Sequence, residues 1–210
     1  MCVALATERF ADRRAAGRLL AERLSRYAGE DVVVLALPRG GVPVGFEVAR
    51  ALEAPLDVFM VRKLGVPGHD ELAMGAIATG GTRILNQQLI SSLDIPREWI
   101  EAVDARERRE MERRERAYRG DRPPPDLTDR KVILVDDGLA TGSTMAAAVR
   151  AVRQSDPERV IVAVPVAPPE TIVALRQEAD EVISVLALSG FGGVGVWYED
   201  FSEPTDQEVI

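Results

Sequence analysis

The residues with the clearest capacity for chemistry lie together in the thirteen-residue run Val132-Ile-Leu-Val-Asp-Asp-Gly-Leu-Ala-Thr-Gly-Ser-Thr144. A hydrophobic strand ends there in two adjacent carboxylates, Asp136 and Asp137. A loop follows, with glycines at 138 and 142 and hydroxyls at Thr141, Ser143 and Thr144. Glycine lets successive backbone N–H groups converge, and the start of the next helix adds partial positive charge. The stretch Ala140, Thr141, Gly142, Ser143 and Thr144 therefore suits a phosphate monoester. The two aspartates would repel phosphate; they suit vicinal sugar hydroxyls, or a magnesium ion reached through water. A phosphate beside a diol describes a ribose 5-phosphate. A Walker loop needs a lysine after its second glycine and a dinucleotide fingerprint needs Gly-x-Gly-x-x-Gly; the run has neither. A receiver-type acid pocket accounts for the acids but not for the loop. A plain capped helix accounts for Ser143 as its cap but not for two acids at a strand end.

Two further clusters carry charge at strand ends. Pro38-Arg39-Gly40-Gly41 is a two-glycine turn with one cation, which is also what an ordinary strand-to-helix turn looks like. Arg62-Lys63 follows the second predicted strand, and Lys63 is one of only two lysines, the other being Lys131. His69, the one histidine, and Glu71 lie just beyond. Glu71 is a candidate general base, although a loop glutamate is more commonly just solvated. In the tail at 189–210, Phe191, Trp197, Tyr198 and Phe201 could stack on a planar base, or could simply pin the tail to the domain.

These groups need a scaffold that brings strand ends together. Apolar periodicity predicts a helix over 8–27, a buried strand over 31–37, a helix over 42–52 and a strand over 56–61. Residues 62–81 mix glycine, polar and apolar types and read as a long flexible loop or mobile hairpin. Residues 97–118 are strongly helical, with Asp104/Arg108, Glu110/Arg114, Glu112/Arg116 and Glu115/Arg119 at the favourable four-residue spacing. The apolar stripe of that helix is thin (Ile100, Val103, Met111 and Tyr118), as for a solvated arm or a helix lying on a partner subunit. Arg119-Gly-Asp-Arg-Pro-Pro-Pro125 is a stiff connector. Beyond it, strands at 131–135, 159–166 and 181–186 alternate with helices at 143–154 and 168–177. Such alternation predicts an α/β domain with a mostly parallel sheet, a core over about 31–187 and one domain over 1–210.

Composition narrows the functional classes. The 210 residues are 46% hydrophobic and 29% charged, a globular balance without internal repeats. No apolar stretch approaches the roughly 20 residues that cross a bilayer. The charged N-terminus argues against a signal peptide, and a lone Cys2 gives no internal disulfide, so the expected compartment is the cytoplasm. A net charge of -8 argues against non-specific nucleic-acid binding.

The run 132–144 closely resembles the phosphoribosyl-pyrophosphate signature of the type I phosphoribosyltransferase family: a hydrophobic strand, two acids and a Thr-Gly-x-Thr loop. The resemblance extends over 31–187 as an order of strands. It implies a flavodoxin-like, doubly wound, mostly parallel five-stranded sheet with a small hood and flexible-loop region, and a ligand at the switch point of the sheet. It further implies that Asp136 and Asp137 bind the ribose 2- and 3-hydroxyls while Ala140 to Thr144 hold the 5-phosphate. Arg39, Gly40, Gly41 and Arg62 would bind pyrophosphate, with a non-proline cis bond at Pro38–Arg39, and Lys63 would join the catalytic set. The implied reaction is displacement at C1 of phosphoribosyl pyrophosphate by a nitrogenous base, with Mg²⁺ carried by the substrate, in a homodimer. Family members that act on oxopurines carry an acid where this chain has Ala140, so alanine there speaks against that mechanism. A regulator that binds the same sugar without turnover, and an unrelated α/β binding module, are the other readings.

Overall fold

In the computed structural model of the protein, residues 9–190 and 192–210 are described, with the backbone alone at Asp70 and Glu71. Cys2 and Phe191 lie outside the described residues, as does the Glu71 side chain. In chain order the elements are α1 (Arg13–Arg23), β1 (Val32–Ala36), α2 (Gly41–Leu52), β2 (Leu56–Val58), β3 (Val61–Val66), β4 (His69–Ala78), β5 (Arg83–Leu85), α3 (Gln87–Ser92) and α4 (Arg97–Arg119). Then come β6 (Lys131–Val135), α5 (Ser143–Arg153), β7 (Arg159–Ala167), α6 (Pro169–Leu175), β8 (Glu181–Ala187) and α7 (Asp206–Val209).

Five strands form one sheet in the order β2-β1-β6-β7-β8, every pair parallel. Successive residues of a strand face opposite sides, so a continuous apolar run feeds two cores. Val32 and Val34 of β1 pack with Ile133 and Ile161 under α1 and α2. Val33 and Leu35 pack with Val132, Leu134 and Val162 under α5 and α6. The chain leaves β1 toward β2 on one side and returns to β6 on the other. The sheet therefore has its switch point between the carboxyl ends of β1 and β6, where open α/β sheets bind ligands.

The segment at 62–81 is not a loop but a hairpin, the other of the two readings of the sequence. β3 and β4 form an antiparallel hairpin that β5 extends to a second, three-stranded sheet. Leu64, Val66, Met74, Ala76 and Ile77 are buried in it, so its mixed composition belongs to a packed sheet. Glycine permits the pairing at Gly75, where a Cβ would stand 2.3 Å from the Ile84 carbonyl oxygen.

Nor is α4 a solvated arm. Its thin stripe, Ile100, Val103, Met111 and Tyr118, is fully used against the small sheet. Arg119 at its end is 7% exposed, bonds both carboxylate oxygens of Asp57 at 3.1 and 2.9 Å and donates to the Val58 carbonyl. The Nε–H shared by the two oxygens, with Nη2 on the carbonyl, ties the helix to the edge of the main sheet.

Candidate active site

The β1 and β6 ends meet at the switch point through main-chain bonds. Leu37 N–H donates to the Val135 carbonyl, and Gly41 N–H to the Leu37 carbonyl. The Pro38–Arg39 peptide is cis, as the resemblance implies. The turn that follows lies directly on the acid pair. A Cβ at Gly40 would stand 2.0 Å from Asp137 Oδ2, and one at Gly41 would stand 2.9 Å from Asp136 Cα. Only glycine allows this approach, so the turn at 38–41 and the acids at 136–137 form one surface.

The two acids have different surroundings. Asp136 Oδ1 accepts the Asp137 N–H at 2.8 Å, and among the described residues no cation is bonded to it. Burial, and next the charge of Asp137, push its carboxyl well above the usual aspartate range. Burial raises Asp137 as well, but Arg13 opposes that, with Nε donating to Asp137 Oδ2 at 2.8 Å. Arg13 thus favours the charged form of Asp137. Its main chain is also held: the Tyr198 hydroxyl donates to the Asp137 carbonyl at 2.5 Å. Burial raises the Tyr198 pKa, and the nearby Asp137 charge adds to that.

The loop from 140 to 144 is poised differently from a capped helix start. Gly142, with φ of +73°, is the N-cap of α5, and Ser143 begins the helix. Ser143 is therefore not the cap that the plain capped-helix reading needs, and among the described residues the only side-chain bond to the first amides of α5 is a long one to the Ser143 N–H. Those amides stay available to an anion. Thr141 Oγ1 makes only a long contact, 3.4 Å, with the Ser143 N–H. The loop is anchored from behind by Thr171, whose hydroxyl donates to the Ala140 carbonyl at 2.7 Å. Thr144 is half-buried, while Ala140, Thr141 and Ser143 are exposed.

The expected pyrophosphate cations are placed unequally. Arg39 reaches the tail, where it pairs with Glu203 and lies 4.0 Å from Asp206. Arg62 Nε donates at 2.7 Å to Glu107 of α4. Although burial alone would raise the Glu107 pKa, Arg62 and Arg106 together hold it below the usual range. Lys63 is exposed on β3 and, with Gly75, Gln87, Ser143 and Ala147, lines a cavity of about 530 Å³ between the small sheet and α5. That cavity links Lys63 to the start of α5. His69 is exposed in the first position of β4.

Tyr198 serves attachment, the plainer of the two readings of the tail aromatics, whereas Phe201 is exposed. Tyr198 is 3% exposed and lies between Phe10 and Phe201, with ring centroids 5.3 and 5.1 Å away. A ring enclosed in this way has no face left for a base. Three contributors escaped the sequence reading: Arg13, Tyr198 in its hydroxyl role, and Thr171. One signal did exist for Arg13. It occupies the first place of the buried stripe Arg13, Ala16, Gly17, Leu20 of α1, where an arginine requires a buried partner.

Among the described residues no group of three or more His, Cys, Asp or Glu side chains comes together, and no helix is long and apolar enough to cross a membrane. A model of the phosphoribosyl transferase domain matches residues 67–196. A Mycobacterium tuberculosis protein provisionally named phosphoribosyl transferase Rv0571c is 44% identical over 201 residues. That alignment covers 96% of this chain and 45% of the relative, so the chain spans under half of the length of that relative. The crystal structure of TT1426 from Thermus thermophilus superposes with a TM-score of 0.85 at 46% identity, covering 96% of this chain and 95% of that one. With a switch point lined by paired acids and an uncapped glycine loop, and with these relatives, the chain belongs to the phosphoribosyl transferase family.

Proposed function

We propose that the protein transfers the 5-phosphoribosyl group of phosphoribosyl pyrophosphate to a nitrogenous base and releases pyrophosphate. One observation carries this reading: the Gly40-Gly41 turn packs against Asp136 and Asp137 so closely that no Cβ fits, and the uncapped α5 start follows shortly after in the chain. A pyrophosphate turn, a diol site and a phosphate loop then lie along one ligand in the order that a phosphoribosyl pyrophosphate requires.

In this reading the amides at Gly142 to Thr144 hold the 5-phosphate, and Asp136 and Asp137 accept hydrogen bonds from the ribose 2- and 3-hydroxyls. The bond from C1 to the pyrophosphate oxygen breaks, leaving positive charge on the sugar. The base nitrogen then forms the new bond to C1 and gives up its proton. Arg39, Lys63 and the turn amides neutralise the departing pyrophosphate, each well-placed donor being worth roughly 3 kcal/mol in such sites. Asp136 and Asp137 alone are too few to enclose a metal, so they fit a Mg²⁺ held mainly by substrate oxygens and reached through water. When bound, Mg²⁺ supplies charge neutralisation at the leaving group.

Calorimetry with phosphoribosyl pyrophosphate, with and without Mg²⁺, tests the site. Micromolar binding that Asp137→Asn weakens on the order of 100-fold is expected, followed by pyrophosphate release with one base of a screened panel. No heat at millimolar ligand would end the proposal. A second reading, a regulator that binds this ligand without turnover, is favoured by the engagement of Arg39 with Glu203. Binding with no pyrophosphate release from any base would select it.

A further inference from the structure

Asp137 is fixed through one oxygen only. Its Oδ2 receives Arg13 Nε at 2.8 Å and lies against the Gly40 backbone, while Oδ1 has no hydrogen-bond partner among the described residues. Arg13 is itself immobile. It is 8% exposed, its Nη1 donates to the Ser202 carbonyl at 2.6 Å, and its guanidinium lies 4.0 Å from the centre of the Phe201 ring. The arginine spans two segments distant in sequence, with its position in α1 separated from Asp137 by 124 residues. A planar fork that is held at one end and donates at the other sets the direction of the carboxylate it bonds.

We infer that Arg13 is a positioning residue of the ribose site: it holds Asp137 by Oδ2 so that Oδ1 is presented to the sugar diol. The inference rests on the function proposed above. Arg13 touches no substrate atom in this account. It acts through Asp137, and it makes α1 and the tail around Ser202 parts of the ribose site.

The full chain is titrated with ribose 5-phosphate, 2-deoxyribose 5-phosphate and inorganic phosphate, in parallel with thermal melts. The unaltered protein should favour the ribose sugar over its 2-deoxy analogue about tenfold, the worth of one good hydrogen bond to a charged acceptor. Arg13→Gln should remove most of that preference and leave inorganic phosphate binding at the α5 loop unchanged. In an Asp137→Asn background, Arg13→Gln should cause no further loss of the preference, because both changes act on one carboxylate. Arg13→Gln that keeps the full preference, while Asp137→Asn loses it, would overturn the positioning role and leave the proposed function standing. Equal weakening of all three probes would also overturn it, since that pattern marks a merely structural arginine. An unaltered protein with no preference for the ribose sugar would remove the diol site and both readings together. If Arg13→Gln does not fold, Arg13→Lys takes its place. A single ammonium cannot span Asp137 and Ser202, so the preference should fall at least about threefold, and a preserved preference would again overturn the role.

Discussion

Two carboxylate sites in this protein are built to opposite rules. Glu47 of α2 is buried to 3% exposure between α1 and α2, and three arginines surround it: Arg50 bonds it, Arg14 lies 3.5 Å away and Arg18 3.9 Å. At the switch point, Asp136 and Asp137 sit side by side and share a single arginine, Arg13, which bonds only Asp137. Burial without sufficient counter-charge is unfavourable, and a fold seeking stability alone would supply a second cation or remove one acid. The Glu47 site is therefore structural, whereas the switch-point pair is held short of partners, which in the proposed function a ligand supplies. Such undercompensation is what the proposed diol site needs, because hydroxyl donors from a sugar replace what the protein withholds.

The contrast can be broken first at the turn that presses on the acids. Gly40→Ala would place a methyl group against Asp137 Oδ2, in space that a Cβ would enter at 2.0 Å. A stability loss of about 3 kcal/mol is expected from the forced backbone shift, with loss of phosphoribosyl pyrophosphate binding. Chemical denaturation and calorimetry on the same preparation would detect both, and a stable, binding-competent variant would show that the turn and the acids are independent.

At the structural site the expectation is narrower. Glu47→Gln should lower stability by about 2 kcal/mol, because a buried carboxylate is lost from between its arginines, and ligand affinity should not change. A change in affinity would erase the distinction between the two sites.

Tyr198→Phe removes the hydroxyl that donates to the Asp137 carbonyl at 2.5 Å in a buried setting. A loss of about 1 kcal/mol is expected, measured as a lower denaturation midpoint at unchanged m-value.

The smallest effect has the opposite sign. Because the Asp136 carboxyl is pushed well above its ordinary value of 3.8, the folded chain holds that proton more tightly than the unfolded chain does. Its contribution to stability is full below that ordinary value and is lost as pH rises through the raised folded value. Asp136→Asn abolishes this loss, so at neutral pH it should stabilise the protein by about 1 kcal/mol, a rise of roughly 3 °C in Tm, while ligand binding falls. Melting curves across about pH 4 to 8 would check it, and a destabilised variant at neutral pH would mean that Asp136 is adequately compensated after all.

The sequence was most legible where local rules decide structure. Continuous apolar runs such as 159–166 and 131–135 read as strands and are strands of the main sheet, and the strand-acid-acid-loop order pointed to the phosphoribosyl transferase family without any contact being known. Of the two readings of 62–81 the structure has the hairpin, and what the sequence hid was its neighbour: Gly65, Gly68 and Gly75 suggest a loop, yet Gly75 is required by the close approach of β5, a partner found only in three dimensions. The same holds for α4. Its stripe was visible, but the surface that covers Ile100 and Met111 was not, since nothing local in a helix names its neighbour.

What the sequence by itself determined is therefore the set of parts: the alternation of strands and helices, the two aspartates at a strand end and the glycine loop behind them, because periodicity and turn chemistry act over a few residues. Only the tertiary structure decided how those parts are electrically completed. Arg13 meets Asp137 across 124 positions, Thr171 holds Ala140 across 31 and Tyr198 holds Asp137 across 61. Such partners are chosen by the packing of α1, α6 and the tail around the sheet, and the free energy that selects them arises only when desolvated groups are brought within bonding distance.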